Sequence, residues 1–296
     1  MAAPVAAPPV DVDSIGALLV EVCERVVMPR LRALGEADVS DKGVGDVVTV
    51  ADTEGEALVT EVLRSRFPGI PVIGEEAVAS DPQLAEDLDV LETYWLLDPL
   101  DGTANFVAGS PHFGTMLALV HGGDPVLAWL WLPVRGLLVT AERGSGAFAD
   151  GVRLGPAPEP AAWDTARARA WVSGRFLPPD VRAVVAANAG AFAAASGGPG
   201  SAVAAYAGLA RGEVDAALQW RTHPWDHAPG SLVLTEAGGA VRRPDGSRYE
   251  PGRAGSGLVM VARAEHWSAA REALLGAPRS RVVDAAVQET AALDRP

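Results

Sequence analysis

The segment that most constrains the fold is WLLDPLDGTANF, residues 95–106, in which an apolar run ends in two aspartates. The run predicts a buried strand that delivers Asp98 at its end, and Pro99 stiffens the turn that follows. Asp101 comes three residues after Asp98, and a tight turn brings both side chains to one side. The two carboxylates can then converge on a pair of hard cations, because oxygen ligands of this type suit Mg²⁺.

The residues after Asp101 allow a phosphate to approach the same turn. Gly102 leaves the backbone unobstructed, and Thr103 begins what could be a helix whose first N–H groups receive a phosphate. The alternative is an ordinary loop, because Asp-Pro and Asp-Gly pairs are common turn formers and Asp101 could simply serve that turn.

Acidic residues also stand at the ends of other hydrophobic elements. These further clusters are Asp46 with Asp52, Glu75 with Glu76, and Asp226. Each has a simpler explanation, since a Glu-Glu pair is usually a solvated surface feature and Asp226 could be the N-cap of its helix. Together, the clusters favour carboxylates that meet at one metal site.

Charge and composition narrow the class of partner and the location. The formal net charge of −14 argues against nucleic acid as the main partner, and divalent cations would be needed to draw in an anionic substrate. No apolar run approaches the roughly 18–20 residues that cross a bilayer, and the N-terminus does not resemble a signal peptide. The single cysteine, Cys23, sits in a helical apolar pattern that predicts a buried thiol. We therefore expect a cytoplasmic protein with no membrane partner.

The pattern of apolar residues predicts helices and single strands first, then a run of short strands. In order, these elements are a helix over 13–34 capped by Asp13 or Ser14, a strand over 47–50, a helix from Asp52 or Thr53 to Phe67, strands over 71–73 and 94–97, and an antiparallel meander over 113–154.

The second half alternates strands and helices, which predicts a layered α/β protein. Its predicted elements are a strand over 168–173, helices over 180–188 and 201–210, a strand over 214–220, a helix over 226–237, strands over 240–242 and 258–262, and a last helix ending near 275. A Pro- and Ala-rich crossing over 155–163 suggests two parts. The predicted division is an N-terminal α+β part (13–155) that holds metal and phosphate, a C-terminal α/β part (156–278) on the substrate side, and flexible tails (1–12 and 279–296).

Four motifs together resemble the inositol monophosphatase family, within the lithium-sensitive, magnesium-dependent phosphatase superfamily. They are DVVTVAD (46–52), GEE (74–76), WLLDPLDGTANF (95–106) and WDHAPGSLVLTEAGG (225–239), and they occur in the family's order and at its usual separations. The resemblance covers residues 13–272. It implies an α-β-α-β-α sandwich whose N-terminal sheet is mostly antiparallel.

The resemblance also implies a set of metal ligands. Glu75, Asp98 and the backbone carbonyl of Leu100 would hold a first Mg²⁺, and Asp98, Asp101 and Asp226 a second. A third, weaker ion would share Glu75 with water. The resemblance thus implies two Mg²⁺ ions, with a third as an open question.

Catalytic and substrate roles follow from the same resemblance. Thr103, polarised by Asp52, would orient the water that attacks phosphorus, and Glu75 would act through its metal. Glu76 would either support the metal ligands from behind or position water. The phosphate oxygens would be held by Gly102, Thr103 and Ala104. Contacts to the substrate would come from Gly200, Ser201, Ala202, Gln219 and Asp226.

The chain departs from the family pattern on the substrate side. Inositol-selective members carry a glutamate six positions before the residue that matches Trp225, whereas this chain has Gln219, an uncharged side chain that can donate and accept hydrogen bonds. Gln219 could weaken inositol binding or simply make the same bonds. Lys42 lies in a loop that is one residue shorter than usual, where an exposed lysine is expected. His223 and His227 flank Asp226, and a turn-capping or solvent-facing role is favoured over a contact with substrate.

Three functions remain open from the sequence. The first is hydrolysis of a small polyol phosphate, by default inositol 1-phosphate, by metal-activated water. The second is the same chemistry on histidinol phosphate, fructose 1,6-bisphosphate, a nucleotide 3′-phosphate or a secondary-metabolite phosphate, and the third is a non-catalytic metal-binding relative. Relatives commonly form homodimers, and Trp129 with Trp131 could belong to an interface or, as we expect, to the core.

Overall fold

Two large β-sheets, with helices between them and on their outer faces, and a separate two-stranded antiparallel sheet build the described part of the protein. The structure is a computed structural model that describes residues 8–43, 46–155 and 162–276. The α-helices are α1 Val12–Val22, α2 Val50–Arg66, α3 Glu75–Ser80, α4 Gln83–Glu86, α5 Thr103–Val107, α6 Pro179–Asn188, α7 Ala202–Ala210, α8 Pro224–Glu236 and α9 Trp267–Leu275. The strands are β1 Val39–Gly43, β2 Asp46–Thr49, β3 Val72–Gly74, β4 Thr93–Asp101, β5 Gly114–His121, β6 Asp124–Leu132, β7 Leu137–Glu142, β8 Gly146–Ala149, β9 Val152–Arg153, β10 Arg169–Val172, β11 Ala194–Ser196, β12 Ala216–Gln219, β13 Ala240–Arg242 and β14 Leu258–Val261.

The first sheet has seven strands, in the order β3-β4-β5-β6-β7-β8-β9. Only β3 and β4 run parallel, and the rest form the antiparallel meander that the sequence predicts. Side chains alternate between its faces. Trp95 and Leu97 belong to the core that includes α1 and α2, whereas Tyr94 and Leu96 belong to the core that includes α7 and α8. Both faces of the sheet are therefore covered by helices.

The second sheet has five strands, in the order β11-β10-β12-β14-β13. The first three of these run parallel and the other pairs are antiparallel. Helices α7 and α8 lie between the two sheets, and α6 and α9 pack on the outer face of the second. The predicted α-β-α-β-α sandwich is therefore confirmed. The sequence missed β11, whose short Ala-Ala-Ser run is exposed and lacks the β-branched residues typical of a strand.

The first helix differs from its prediction at both ends. Its N-cap is Asp11, not Asp13 or Ser14, because the Asp11 carboxylate accepts hydrogen bonds from the N–H groups of those two residues. Regular α-helix ends at Val22 instead of continuing to residue 34, and a π-turn and a 3₁₀-turn follow. Pro29 lies in the second turn, where its missing N–H prevents a further α-helical hydrogen bond.

The predicted core residues near this helix lie where expected. Trp129 and Trp131 are buried against α1, so they belong to the core. Cys23 is also buried, and burial raises the pKa of its thiol to about 12, as expected for a packing residue. Among the described residues, no helix is both long and apolar enough to cross a membrane.

The predicted division into two parts stays a prediction. The tails fall largely on residues 1–7 and 277–296, and most of the proposed crossing falls on 156–161, all outside the described residues. Within the described residues, one hydrophobic cluster contains Met116 and Leu130 of the first sheet together with Ala217 and Met260 of the second. The two sheets therefore share a core through α7 and α8.

Candidate active site

Three carboxylates from two distant segments converge at the end of β4. Asp98 and Asp101 lie in β4, and Asp226 lies in the first turn of α8. One oxygen of each lies within 4.8 Å of the other two. Asp98 is 2% exposed and Asp101 7% exposed, so the cluster is largely shielded from water. The structure thus brings Asp226 to the Asp98–Asp101 turn, where it is an internal residue of its helix and not an N-cap.

The carboxylates carry more negative charge than a buried site tolerates alone. Burial, with the charges of Glu75 and Asp101, raises the pKa of Asp98 well above its usual value. Burial likewise raises the pKa of Asp226 well above normal and that of Asp101 to about 6. An all-oxygen donor set with excess negative charge fits a hard divalent cation, because the ion offsets the repulsion between its ligands.

The turn between Asp98 and Asp101 is fixed by hydrogen bonds within it. The backbone N–H of Leu100 donates to Asp98 Oδ1 at 2.9 Å, and Thr115 Oγ1 donates to the carbonyl of Pro99 at 3.0 Å. The pairing of β4 with β5 shifts register between the two aspartates. This irregularity turns both carboxylates toward Asp226 instead of to opposite faces of the strand.

Gly102 is required where the turn meets α7. Its φ of 84° lies in the left-handed region, and a Cβ there would lie 2.8 Å from Ser201 Cβ and 2.9 Å from the His112 carbonyl oxygen. A larger residue would push the two segments apart.

The Thr103 hydroxyl contacts the residue with which the resemblance pairs it. Thr103 Oγ1 lies 2.9 Å from Asp52 Oδ1 and 3.0 Å from the Leu100 carbonyl oxygen. The other Asp52 oxygen accepts from the N–H and hydroxyl of Thr49 at 2.8 and 2.5 Å. Thr49 is the N-cap of α2, so the prediction that Asp52 or Thr53 caps this helix is wrong. Asp52 instead closes a capping box, which fixes its carboxylate toward Thr103.

Glu75 lies at the start of α3 and faces the same cavity. Its Oε1 lies 3.2 Å from Lys42 Nζ, and Glu76 Oε1 lies 2.5 Å from the same nitrogen. Lys42 is therefore a largely buried residue of β1, not an exposed loop lysine. Lys42 partly offsets the charge of two carboxylates beside the Asp98 cluster.

Glu56 of α2 holds the start of α3, a contact that the sequence did not reveal. Its carboxylate accepts from the N–H groups of Glu76 and Ala77, each at 2.8 Å. A Cβ on Gly74 would overlap this carboxylate. The glycine of the GEE motif therefore makes room for Glu56. This glycine was the one feature of the sequence that could have pointed to the contact between Glu56 and α3.

The converging elements enclose a cavity of about 140 Å³. Every residue with a predicted role except Asp52 and Glu76 lines it, namely Glu75, Asp98, Leu100, Asp101, Gly102, Thr103, Ala104, Gly200, Ser201, Ala202, Gln219 and Asp226. The sequence did not single out several other lining residues, including Trp171, Arg175, Phe176 and Arg221. These residues have no motif of their own, so only the fold shows that they face the cavity.

A sequence profile of the inositol monophosphatase family matches residues 11–280. The chain belongs to the inositol monophosphatase family. It is 30% identical to an inositol monophosphatase of Dictyostelium discoideum over 215 residues, or 71% of this chain and 76% of the relative. It is also 31% identical to a fructose-1,6-bisphosphatase/inositol-1-monophosphatase of Thermotoga maritima over 70% of this chain and 76% of that one.

Solved structures of this family share the fold. A Thermotoga maritima inositol monophosphatase superposes with a TM-score of 0.74 at 25% identity, covering 94% of this chain and 98% of the other.

The Escherichia coli relative, 33% identical over 69% of this chain and 74% of its own, is named Nus factor SuhB. Members of the inositol monophosphatase family are metal-dependent phosphatases of small phosphorylated substrates, and this chain is one of these enzymes.

In this family member, His227 is a buried structural residue. Its Nε2 lies 3.0 Å from the Arg221 carbonyl oxygen and its Nδ1 2.9 Å from the Tyr206 hydroxyl. Burial lowers its pKa to about 3, so the ring is neutral. The predicted turn-capping or solvent-facing role is thus wrong for His227. His223 lines the cavity and stacks on Trp225, with ring centroids 5.0 Å apart.

Proposed function

We propose that this chain is a Mg²⁺-dependent phosphomonoesterase that hydrolyses a small polyol phosphate, with inositol 1-phosphate as the default substrate. The observation that carries the proposal is the convergence of Asp98, Asp101 and Asp226 within 4.8 Å, in a cavity that also contains Thr103. Hydrolysis of a phosphate monoester depends mainly on positioning and on neutralising charge. A cavity lined by carboxylates supports that chemistry once cations are bound.

The proposed ligands form two sets that share one residue. Glu75, Asp98 and the Leu100 carbonyl would hold one ion, and Asp98, Asp101 and Asp226 a second, with a third, weaker ion at Glu75. When bound, Mg²⁺ neutralises the phosphate oxygens and lowers the pKa of a water molecule. The chain's part is to hold the carboxylates in place, through the turn at Asp98 and the start of α7 at Asp101.

The proposed role of Thr103 is to orient the attacking water. The Thr103 hydroxyl donates a hydrogen bond to Asp52, so its oxygen would act as the acceptor for that water. The N–H groups of Gly102, Thr103 and Ala104 would receive the phosphate oxygens. Gly200, Ser201 and Ala202, which line the same cavity, would contact the rest of the substrate. Glu76 would position water.

A second candidate function keeps this chemistry and changes the metabolite. Gln219 lines the cavity where inositol-selective relatives carry glutamate, which favours another polyol, sugar or amino-alcohol phosphate. The name of the Thermotoga maritima relative joins fructose-1,6-bisphosphatase with inositol monophosphatase, so substrate choice varies among similar proteins. A cytoplasmic location, a homodimer and inhibition by lithium stay predictions.

The test is release of phosphate from inositol 1-phosphate and from a panel of metabolite phosphates. We expect turnover with Mg²⁺ and none with a chelator. Thr103→Val should lower kcat by about 10²–10³-fold, the usual loss when one catalytic hydrogen-bonding group is removed. The matched control is Thr53→Val, at an exposed hydroxyl of α2, which should retain full activity. An unchanged kcat in Thr103→Val would remove the proposed role of this residue.

A further inference from the structure

The outer part of the cavity carries two guanidinium groups around one aromatic ring. The Cζ atoms of Arg175 and Arg221 lie 4.9 and 4.3 Å from the centroid of the Phe176 ring. Both arginines and Phe176 line the cavity. Among the described lining residues there is no other arginine and no lysine. The cavity is thus acidic at the Asp98 cluster and basic around Phe176.

The two arginines lie at different depths. Arg221 is partly buried and lines the cavity together with Trp225 and Asp226. Arg175 is exposed, and within the described residues no carboxylate forms an ion pair with it. The pair therefore extends from the Asp226 side of the cavity toward solvent. A substrate whose reacting phosphate lies at the cluster would pass along Arg221, Phe176 and Arg175.

A neutral polyol does not require this positive region. The protein has a net charge of −14, so two arginines concentrated at the mouth of the active site reverse the local sign. Gln219, which lines the same cavity, is uncharged, whereas a glutamate there would repel an anion.

We propose that Arg175 and Arg221 bind a second anionic group of the substrate, a phosphate or a carboxylate, at the end remote from the phosphate that is hydrolysed. The preferred substrate class is then a phosphomonoester that carries a further anion. This inference rests on the proposed function and specifies its substrate class.

The alternative is that the arginines only hold Phe176. Their cation–π contacts with Phe176 would then keep the loop after β10 in place without any contact with substrate. A structural role would affect all substrates in the same proportion. A binding role would affect only substrates that carry the second anion.

The test uses three phosphomonoesters that differ at the remote carbon alone. Glucitol 6-phosphate ends in a hydroxymethyl group, 6-phosphogluconate in a carboxylate and glucitol 1,6-bisphosphate in a phosphate. Initial rates of phosphate release are measured with Mg²⁺ for the wild type, Arg175→Gln, Arg175→Lys and the control Arg64→Gln, an exposed arginine of α2 that does not line the cavity. The two anionic end groups separate a carboxylate requirement from a phosphate requirement.

We expect kcat/KM to be at least about fivefold higher for one or both anionic end groups than for the neutral one, as for an ion pair at the upper end of the exposed range. This advantage should fall below about twofold in Arg175→Gln, recover partly in Arg175→Lys, stay intact in Arg64→Gln and shrink at high salt. A wild type that prefers the neutral substrate would overturn the inference. So would an Arg175→Gln variant in which all three values fall equally. Failure to release phosphate from these substrates and from inositol 1-phosphate would contradict the proposed function instead.

Discussion

The carboxylate of Asp101 accepts a hydrogen bond from the backbone N–H of Val203 at 2.7 Å, although the two residues are 102 positions apart. The N–H of Ala202 donates to the same carboxylate at 3.1 Å. Both donors belong to the first turn of α7, where N–H groups have no partner within the helix. Asp101 therefore joins β4 to the helix between the two sheets, while its carboxylate also faces the metal-ligand cluster.

Replacing Asp101 with asparagine should affect stability and metal binding together. An amide has one acceptor oxygen, so its NH₂ group would face one of the two N–H donors and leave that donor unpaired. Asparagine also removes one charge from the cluster, as Asp98→Asn does, so we expect the free energy of unfolding of Asp101→Asn in chelator to be about 1–3 kcal/mol below that of Asp98→Asn. The Mg²⁺ affinity of Asp101→Asn should fall by at least about tenfold. Urea unfolding and calorimetric Mg²⁺ titration measure the two effects.

The control for this experiment is Asp89→Asn, at an exposed aspartate outside the cavity. It should leave both quantities unchanged within error. Asp101→Asn as stable in chelator as Asp98→Asn would mean that the bonds to α7 contribute nothing.

Asp98→Asn should not destabilise the protein when metal is absent. Its charge is buried among Glu75, Asp101 and Asp226, and asparagine removes that charge while its oxygen still accepts from Leu100. In chelator, Asp98→Asn should therefore melt at the same temperature as the wild type or higher. About 10 mM Mg²⁺ should raise the melting temperature of the wild type by about 5 °C but not that of the variant. A variant less stable than the wild type in chelator would contradict this account.

The sequence was a good guide to the fold where patterns are local. The apolar run in β4 and the meander after it predicted strands that the structure confirms, because a strand covered on both faces is apolar along its length. The helix predicted over 13–34 was too long, since the apolar period continues through a π-turn and a 3₁₀-turn that it cannot distinguish from α-helix. The cap of α1 was misplaced for a related reason, because Asp11 and Asp13 are both reasonable caps.

The sequence predicted the carboxylates and the phosphate- and substrate-side residues that line the cavity, but not its arginines or Glu56. Carboxylates at the ends of apolar elements and the family motifs pointed to Asp98, Asp101 and Asp226. Arg221 and Glu56 lie in no motif, and their partners Phe176 and Glu76 are distant in sequence, so the fold was needed to place them. Single contacts of this kind produce no periodic pattern in the sequence.

Glu56 and Gly74 should show strong energetic coupling. An alanine at 74 would force the Glu56 carboxylate away from the N–H groups of Glu76 and Ala77. We expect Gly74→Ala to cost about 2 kcal/mol in the wild type. In a Glu56→Ala background it should cost almost nothing, because the backbone at Gly74 is extended and accepts any residue. Urea unfolding of the four proteins gives the coupling energy.

The matched control replaces Gly190, whose added Cβ would have no atom within 4 Å. Gly190→Ala should combine additively with Glu56→Ala. Equal costs of Gly74→Ala in both backgrounds would show that Glu56 moves freely and does not fix the start of α3.

The hydroxyl of Tyr206 should contribute more to the free energy of unfolding than the hydroxyl of Tyr249, although both residues are buried tyrosines that pack against His227. The Arg221 carbonyl can only accept, so His227 Nε2 carries the proton and Nδ1 accepts from the Tyr206 hydroxyl. Tyr206→Phe leaves Nδ1 buried without a donor, at a cost of about 1–3 kcal/mol.

Tyr249→Phe provides the matched control, because the Tyr249 hydroxyl is buried and has no hydrogen-bond partner among the described residues. Removing a buried hydroxyl that is already unpaired should change the free energy of unfolding by no more than about 0.5 kcal/mol, or should stabilise the protein. Urea unfolding of both variants gives the two changes in the free energy of unfolding. Because each substitution keeps the aromatic ring, the comparison isolates the two hydroxyl groups. Similar losses in the two variants would mean that ring packing, and not the bond to His227, accounts for the effect of Tyr206.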